Sequence, residues 1–292
     1  MIINAASLSG LYKSFQTTFN QSMEISQVAW PEFATRVPST TKENVYAWLG
    51  AFPFMKEWLG DRKIQNLKLH NYSLINKAYE DTVEVDRDDI EDDQIGVYKP
   101  VIQEFGRIAR VHPDYLFSLL LASGFSATCY DGQYFFDTDH PVGAGTASNY
   151  GGGASVAWYL IDTSRFVKPF IFQDRRAPQF VAMDSLQDEN VFMRKKYRYG
   201  VDYRATVGFG LWQLAHASKD TLNSTNYAAA RAAMMTYKSD NGIPLGIMPN
   251  LLMVPPSLEG AGRLIVLADK TPAGATNEWV NTAKLLVNPW LS

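Results

Sequence analysis

Glu80-Asp81-Thr82-Val83-Glu84-Val85-Asp86-Arg87-Asp88-Asp89-Ile90-Glu91-Asp92-Asp93 is the stretch on which the reading of this chain turns. Nine of its side chains are acidic and one is basic, a local charge of −8. Alternation in Thr82-Val83-Glu84-Val85 marks a strand. The acids beyond it precede an apolar periodicity, Ile95, Tyr98, Val101, Ile102, Phe105, Ile108 and Ala109, which marks a helix. Carboxylates at a helix start are favoured by the free N–H groups and the dipole, each by roughly 0.3–1 kcal/mol. We therefore expect a long helix over about residues 88–110, bent near Pro100, which has no N–H to give. A second helix is expected from His112-Pro113-Asp114, with proline at its first position, to Gly124. As a calcium loop the run fails, because Ile90 and Glu91 stand where an oxygen ligand and a glycine are needed.

Around this run the chain is nearly neutral. Residues 1–79 carry +3 and residues 94–292 carry +2, which with the run gives −3 over 292 residues. No global cationic excess exists to hold a phosphate backbone by counterion release, so a dedicated nucleic-acid binder is disfavoured. With 46% hydrophobic and 20% charged residues the composition is that of a globular chain. Cys129 is the single cysteine, which excludes an internal disulfide and a cysteine-rich zinc site. The first residues carry no basic segment or apolar core of a secretory leader, and no apolar window reaches the roughly 18 residues of a membrane span.

Upstream of the run, Leu8, Leu11, Tyr12, Phe15 and Phe19 recur at helical spacing after Ser7, a candidate N-cap. Trp30-Pro31 and Val37-Pro38-Ser39-Thr40-Thr41 follow as an extended stretch, so the segment is expected to be either a helix on its own core or an arm reaching another chain. Short strands and turns are expected from Tyr46 to Val85, including Ile64-Gln65-Asn66-Leu67-Lys68-Leu69. Trp48, Phe52, Phe54 and Trp58 are more large aromatics than a hairpin can bury alone.

Downstream, residues 130–159 are rich in glycine and turns. Strands are expected over 166–172 and 180–183 around a turn at 173–178, and over the alternating residues 191–207. A strand or short helix is expected at 208–217, and a helix from Ser224 to Tyr237 capped by Asn223 or Ser224. Three further strands are expected at 251–254, 264–267 and 285–287. The class is α+β.

Two local constellations invite chemistry. Asp137-Thr138-Asp139-His140-Pro141 offers carboxylates and an imidazole for a hydrolase or metal enzyme, but its residues are close enough to bond one another locally. Arg194-Lys195-Lys196-Tyr197-Arg198-Tyr199, with Tyr203-Arg204, interleaves cations and aromatics as nucleic-acid surfaces do. The acidic run is its natural partner, within the chain or across subunits. No catalytic, cofactor or metal site is assigned.

The order of parts, an amphipathic N-terminus, an aromatic hairpin, an acid-started helix and a mixed α/β remainder, resembles tailed-phage major capsid proteins of the Hong Kong 97 type. Particular segments are similar to the Mu-like phage major head subunit family. They are Met1-Ile2-Ile3-Asn4-Ala5-Ala6 with Leu8 and Phe15, Trp48-Leu49-Gly50 with Glu57-Trp58, and Thr82 through Asp93. Phe136-Asp137-Thr138-Asp139-His140-Pro141, Tyr199-Gly200-Val201-Asp202, Gly208-Phe209-Gly210-Leu211-Trp212-Gln213 and Pro249-Asn250-Leu251-Leu252 with Val254-Pro255-Pro256-Ser257 continue the likeness.

The resemblance implies an arm over residues 1–41, an extended loop hairpin over 42–85, and peripheral and axial domains over 86–292, with the spine helix near 88–110. It implies a non-enzymatic major capsid protein of a tailed phage or prophage, without cofactor, assembled in a bacterial cytoplasm and residing in the virion. Its partners would be further copies in hexamers and pentamers, scaffold, portal and decoration proteins, and weakly held double-stranded DNA, with no membrane. Intersubunit contacts are expected at Leu8, Tyr12, Phe15, Trp48, Phe52 and Trp58. Charged contacts are expected at Asp88, Asp89, Asp92, Arg194, Lys196 and Arg198.

Overall fold

The structure, a computed structural model, describes residues 4–50, 71–92 and 94–291. Helix α1 (Ala5–Ile25) starts at Asn4, whose side chain accepts from the Ser7 N–H while the Ser7 hydroxyl accepts from the Asn4 N–H, both at 2.9 Å. Ser7 is thus the third helical residue of a capping box and not the N-cap. The short helix α2 (Trp30–Phe33) leads into strand β1 (Ala34–Pro38). Strands β2 (Glu43–Val45) and β3 (Ser73–Ile75) pair antiparallel as the foot of a hairpin. The expected strand at 64–69 lies outside the described residues.

The acidic run divides between two elements. Its first half is the end of β4 (Lys77–Asp86) and its second half is the short helix α3 (Arg87–Glu91). A 3-10 turn over Gln94–Val97 intervenes before the long helix α4 (Lys99–Ser123). The expected helices at 88–110 and 112–124 are therefore redrawn. Pro100 sits in the first turn of α4, where a missing N–H costs nothing, and Pro113 lies inside the helix without ending it. An internal proline costs about 3 kcal/mol. Burial of Phe117 and Leu121 offsets that, together with Asp114, whose carboxylate accepts from the N–H groups of Ala29 (3.0 Å) and Trp30 (2.7 Å).

Beyond α4 come the hairpin strands β5 (His140–Val142) and β6 (Gly145–Ala147), then β7 (Tyr150–Gly153) and β8 (Trp158–Ile161). Strand β9 runs unbroken from Phe170 to Met183. The turn expected at 173–178 is replaced by a bulge opposite Asp202 and Arg204, which accommodates Pro178 within the strand. Helix α5 (Glu189–Arg194) ends at Lys195 in the left-handed region (φ 54°), so Arg194 belongs to a helix and not to the strand expected from 191. Strand β10 (Lys196–Phe209) is followed by β11 (Ala215–Lys219), and then by helix α6 (Ser224–Met235), capped by Asn223. The buried strand β12 (Leu251–Val254), helix α7 (Glu259–Val266) and strand β13 (Lys284–Val287) complete the order. The strand expected at 264–267 is thus the end of a helix that turns Gly262, Ile265 and Val266 inward.

Of the two larger sheets, one has the order β1-β9-β10-β4 and the second β13-β12-β8-β11-β7. Two cores result. The larger gathers Trp30, Phe117, Phe170, Phe209, Trp158 and Leu252 around the second sheet and the near half of the first. The smaller holds Leu8, Leu11, Phe15 and Phe19 of α1, Ile102 and Phe105 of α4, and Tyr197, Tyr199 and Phe180 of the sheet. Helix α4 and strands β9 and β10 contribute to both and tie them together. At about 1.5 Å per residue, α4 is about 37 Å long, a beam on which both cores are mounted.

Candidate functional site

Among the described residues the chemistry-bearing groups fall in three places: the acidic edge, the sheet face beside it, and a buried cluster under β5. On the acidic edge Val85 and Ile90 are fully buried and act as pegs, while Glu80, Asp81, Glu84, Asp88, Glu91 and Asp92 are exposed. Asp89 accepts a hydrogen bond from the Tyr98 hydroxyl. The pattern follows from the alternation of β4, which turns Val85 to the core and its acidic neighbours Glu84 and Asp86 outward.

The register of β10 against β4 sets Lys196 opposite Asp86 and Arg198 opposite Glu84. Both form ion pairs at 2.7 Å, and Arg176 pairs with Asp202 at the same distance. Two consequences follow for the sequence-expected sites. The cations of Lys196 and Arg198 are met by the acidic run of their own chain. Tyr197, Tyr199 and Tyr203 lie on the opposite, buried face, so the interleaving in sequence is not an interleaving on one surface. Base stacking beside those cations, which a nucleic-acid module would need, is sterically removed.

The N-terminal contacts are likewise redrawn. Leu8 and Phe15 are only 4% and 3% exposed, held against α4 and the sheet of the same chain, with Phe15 edge-on to Tyr199. The Tyr12 hydroxyl donates to the Phe180 carbonyl at 3.0 Å. The expected burial of these three side chains on a neighbouring subunit gives way to an intramolecular position, because α1 is long enough to cover the smaller core. Gly106 explains how closely: a Cβ there would lie 2.4 Å from the Phe19 carbonyl oxygen. Trp48, by contrast, is 44% exposed beside Tyr46, and Phe52 and Trp58 lie outside the described residues.

Sequence reading missed the apolar tip between β9 and β10. Leu186, Phe192 and Met193 are all exposed there, Phe192 at 80%, next to the exposed Arg194. Val191-Phe192-Met193 reads as a strand interior by composition. Only the helical turn of α5, which buries Val191 and turns its two neighbours out, distinguishes them.

Asp137, Asp139 and His140 are not brought together. Asp137 accepts from the N–H groups of Tyr134 and Thr138, and Asp139 is exposed. The His140 ring is fully buried and stacks on Trp212, centroids 4.0 Å apart. Its Nδ1 lies 2.8 Å from Asp131 Oδ2, and its Nε2 3.1 Å from Asn149 Oδ1. Cys129 Sγ donates to Asp131 Oδ1 at 3.0 Å. Burial pushes the Cys129 thiol far above its ordinary value, with the Asp131 charge adding to the shift. Burial would also raise Asp131, but hydrogen bonds from His140 and Cys129 win and hold its carboxyl below the usual range. The distance in sequence between Cys129 and His140 hid this grouping, which a tight turn through Gly132 (φ 93°) creates.

Comparison with known proteins covers nearly the whole chain. Residues 8–291 match the family described as Mu-like prophage major head subunit gpT. The Mu-like prophage FluMu major head subunit of Haemophilus influenzae is 41% identical, with 96% of each chain covered. The major capsid protein of Escherichia phage Mu is 39% identical over the full length of both. Among solved structures, a chain of the bacteriophage JBD30 procapsid matches with a TM-score of 0.89 and 45% identity, covering 99% of this chain and 100% of that one. A chain of the JBD30 capsid matches at 0.81 and 32% identity, with both fully covered.

Proposed function

The chain belongs to the Mu-like prophage major head subunit gpT family, and from that membership we propose that its copies assemble as hexamers and pentamers into an icosahedral head around double-stranded DNA. The subunit is a structural capsid protein of the virion and not an enzyme, and its α+β fold is that of phage capsid subunits. The observation that carries the proposal is the whole-chain likeness to a procapsid subunit at 45% identity. Assembly would take place in the bacterial cytoplasm, with scaffold and portal proteins as further partners. The JBD30 capsid is described as decorated with minor capsid protein trimers, and a decoration partner of that kind is proposed here too.

The neighbour contacts proposed are the hairpin over residues 42–85, with Trp48 at its described end and Phe52 and Trp58 beyond, and the acidic edge at Asp88, Asp89 and Asp92. Arg194 at the tip is a third, joined there by Phe192 and Met193. Burying about 400 Å² of apolar surface per subunit contributes on the order of 10 kcal/mol before entropy is counted. The near-neutral balance of −3 supports a weak, non-specific contact with packaged DNA. Sedimentation of the full chain over rising concentration, with negative-stain images of each fraction, tests the proposal. Rings, sheets or shells are expected, and a compact monomer throughout the range contradicts it.

A further inference from the structure

We infer that Cys129, Asp131 and His140 form a binding site for a borderline-soft divalent cation of the zinc type. The ligand atoms, one sulfur, one carboxylate oxygen and one imidazole nitrogen, lie within 4.8 Å of one another, and this is the metal-competent grouping among the described residues. Sulfur, nitrogen and oxygen in one set is the donor mixture that such an ion takes.

The hydrogen bonds around His140 decide which of its nitrogens is available. The Asn149 amide nitrogen faces the carbonyls of Phe135, Trp212 and Ala215, at 2.8, 3.4 and 3.2 Å. The Asn149 oxygen accepts from the Asp137 N–H at 2.9 Å, so the orientation of that amide is fixed from both ends. Its oxygen is therefore an acceptor for His140 Nε2–H, which turns the other ring nitrogen, Nδ1, to the Asp131 carboxylate. Nδ1 and Asp131 Oδ2 stand 2.8 Å apart with a proton between them, the place a metal ion would take. Asn149 and the stacked Trp212 supply the outer support that a ligating histidine ordinarily has.

Space and access agree. Asp131, alone of the three, also lines a cleft of about 220 Å³ beside Trp212, Gln213, Lys238 and Asp240, so an ion would reach the cluster past that carboxylate. A tetrahedral ion sets its ligand atoms about 3.3–3.7 Å apart. His140 Nδ1 and Cys129 Sγ now bond different oxygens of Asp131, at 2.8 and 3.0 Å, so an ion needs these contacts to open by a few tenths of an ångström to about 1 Å and one carboxylate oxygen to turn to it. On binding, the Cys129 S–H bond breaks, an S–metal bond forms, and the proton leaves to solvent, as does any proton on Nδ1. No electron changes hands. The ion would pin the loop after α4 to β5.

The test is titration of the purified full chain with Co²⁺ alone and with Zn²⁺ alone. One equivalent per chain is expected, with a thiolate-to-cobalt charge-transfer band that Zn²⁺ displaces. Cys129→Ser should abolish the band, His140→Gln should weaken binding at least tenfold, and Asp137→Asn should leave both unchanged. If either site variant fails to fold, the native spectrum alone still decides, because Cys129 is the only cysteine in the chain. Absence of the band at saturating Co²⁺ overturns the inference and leaves a proton holding the cluster. Outright loss of shell assembly with the band intact would leave it standing, so its failure is separable from that of the assembly proposal.

Discussion

Three residues show how single side chains set the stability of this subunit. Burial pushes the His216 imidazole down to about 4. The folded protein then binds fewer protons than the unfolded chain between that value and the ordinary histidine range, so stability is full above about pH 6.5 and is lost as pH falls towards 4. The loss reaches about 2 kcal/mol at pH 5 from this group alone. Denaturant midpoints of the full chain at pH 7 and pH 5 should show it, and His216→Leu should flatten the difference. Gly106 faces a different contest. Replacing it by alanine gains about 1 kcal/mol of helix propensity, yet its Cβ would stand 2.4 Å from a backbone oxygen of α1. We expect Gly106→Ala to be net destabilising, by about 1–3 kcal/mol in chemical denaturation. An unchanged midpoint would mean that α1 rests less tightly on α4 than described. Asp114 acts across a longer gap, holding the start of α2 from inside α4, a role that no local motif announces.

At the scale of elements, α1 is part of the fold and not a detachable arm. Phe15→Ala should therefore cost about 3–5 kcal/mol of folding stability, and deleting residues 1–41, which also strips β1 from its sheet, should yield insoluble chain. A soluble, folded truncation would contradict the packing of α1. The paired strands β4 and β10 make a subtler case. Their ion pairs are a third to a half exposed, so solvent screening leaves each a small contribution to the fold. Exchanging Arg198 and Glu84 should restore in the double variant most of what Arg198→Glu alone loses. The remaining acids are better placed to act between subunits. Asp88→Lys with Asp92→Lys should leave the fold intact but slow assembly at low salt, with the difference fading as salt rises. Asp89 is left out of that pair because the Tyr98 hydroxyl bonds to it within the chain. Identical assembly at every salt concentration would reduce the run to an intrachain role.

For the whole molecule, much of the architecture was legible in local pattern. The strand at Thr82–Val85, the Asn223-capped helix, the buried strand at Leu251–Val254 and the α+β class all follow from periodicity and capping. What escaped was set by tertiary packing. Pro113 reads as a helix start because its local cost is plain, whereas the two cores that repay it are assembled from distant segments. Pro178 reads as a turn, but a bulge against β10 absorbs it. Leu8 and Phe15 are apolar on either reading of the N-terminus, and only the opposing face of α4 decides that they are buried at home. The same limit hid the cluster of Cys129, Asp131 and His140, whose members meet through a glycine turn.

These elements build a subunit whose two cores hang on one helix and two long strands, and the acidic edge, the apolar tip and the foot of the hairpin are the surfaces proposed to meet neighbours. The measurement closest to the central claim is a cryo-EM reconstruction of particles formed by the full chain. The account predicts closed shells with five-fold and six-fold capsomers, in which the hairpin over residues 42–85 and the tip around Phe192 touch adjacent copies while α1 stays on its own α4. Particles in which those surfaces face solvent, or a chain that remains a monomer under every assembly condition, would contradict it.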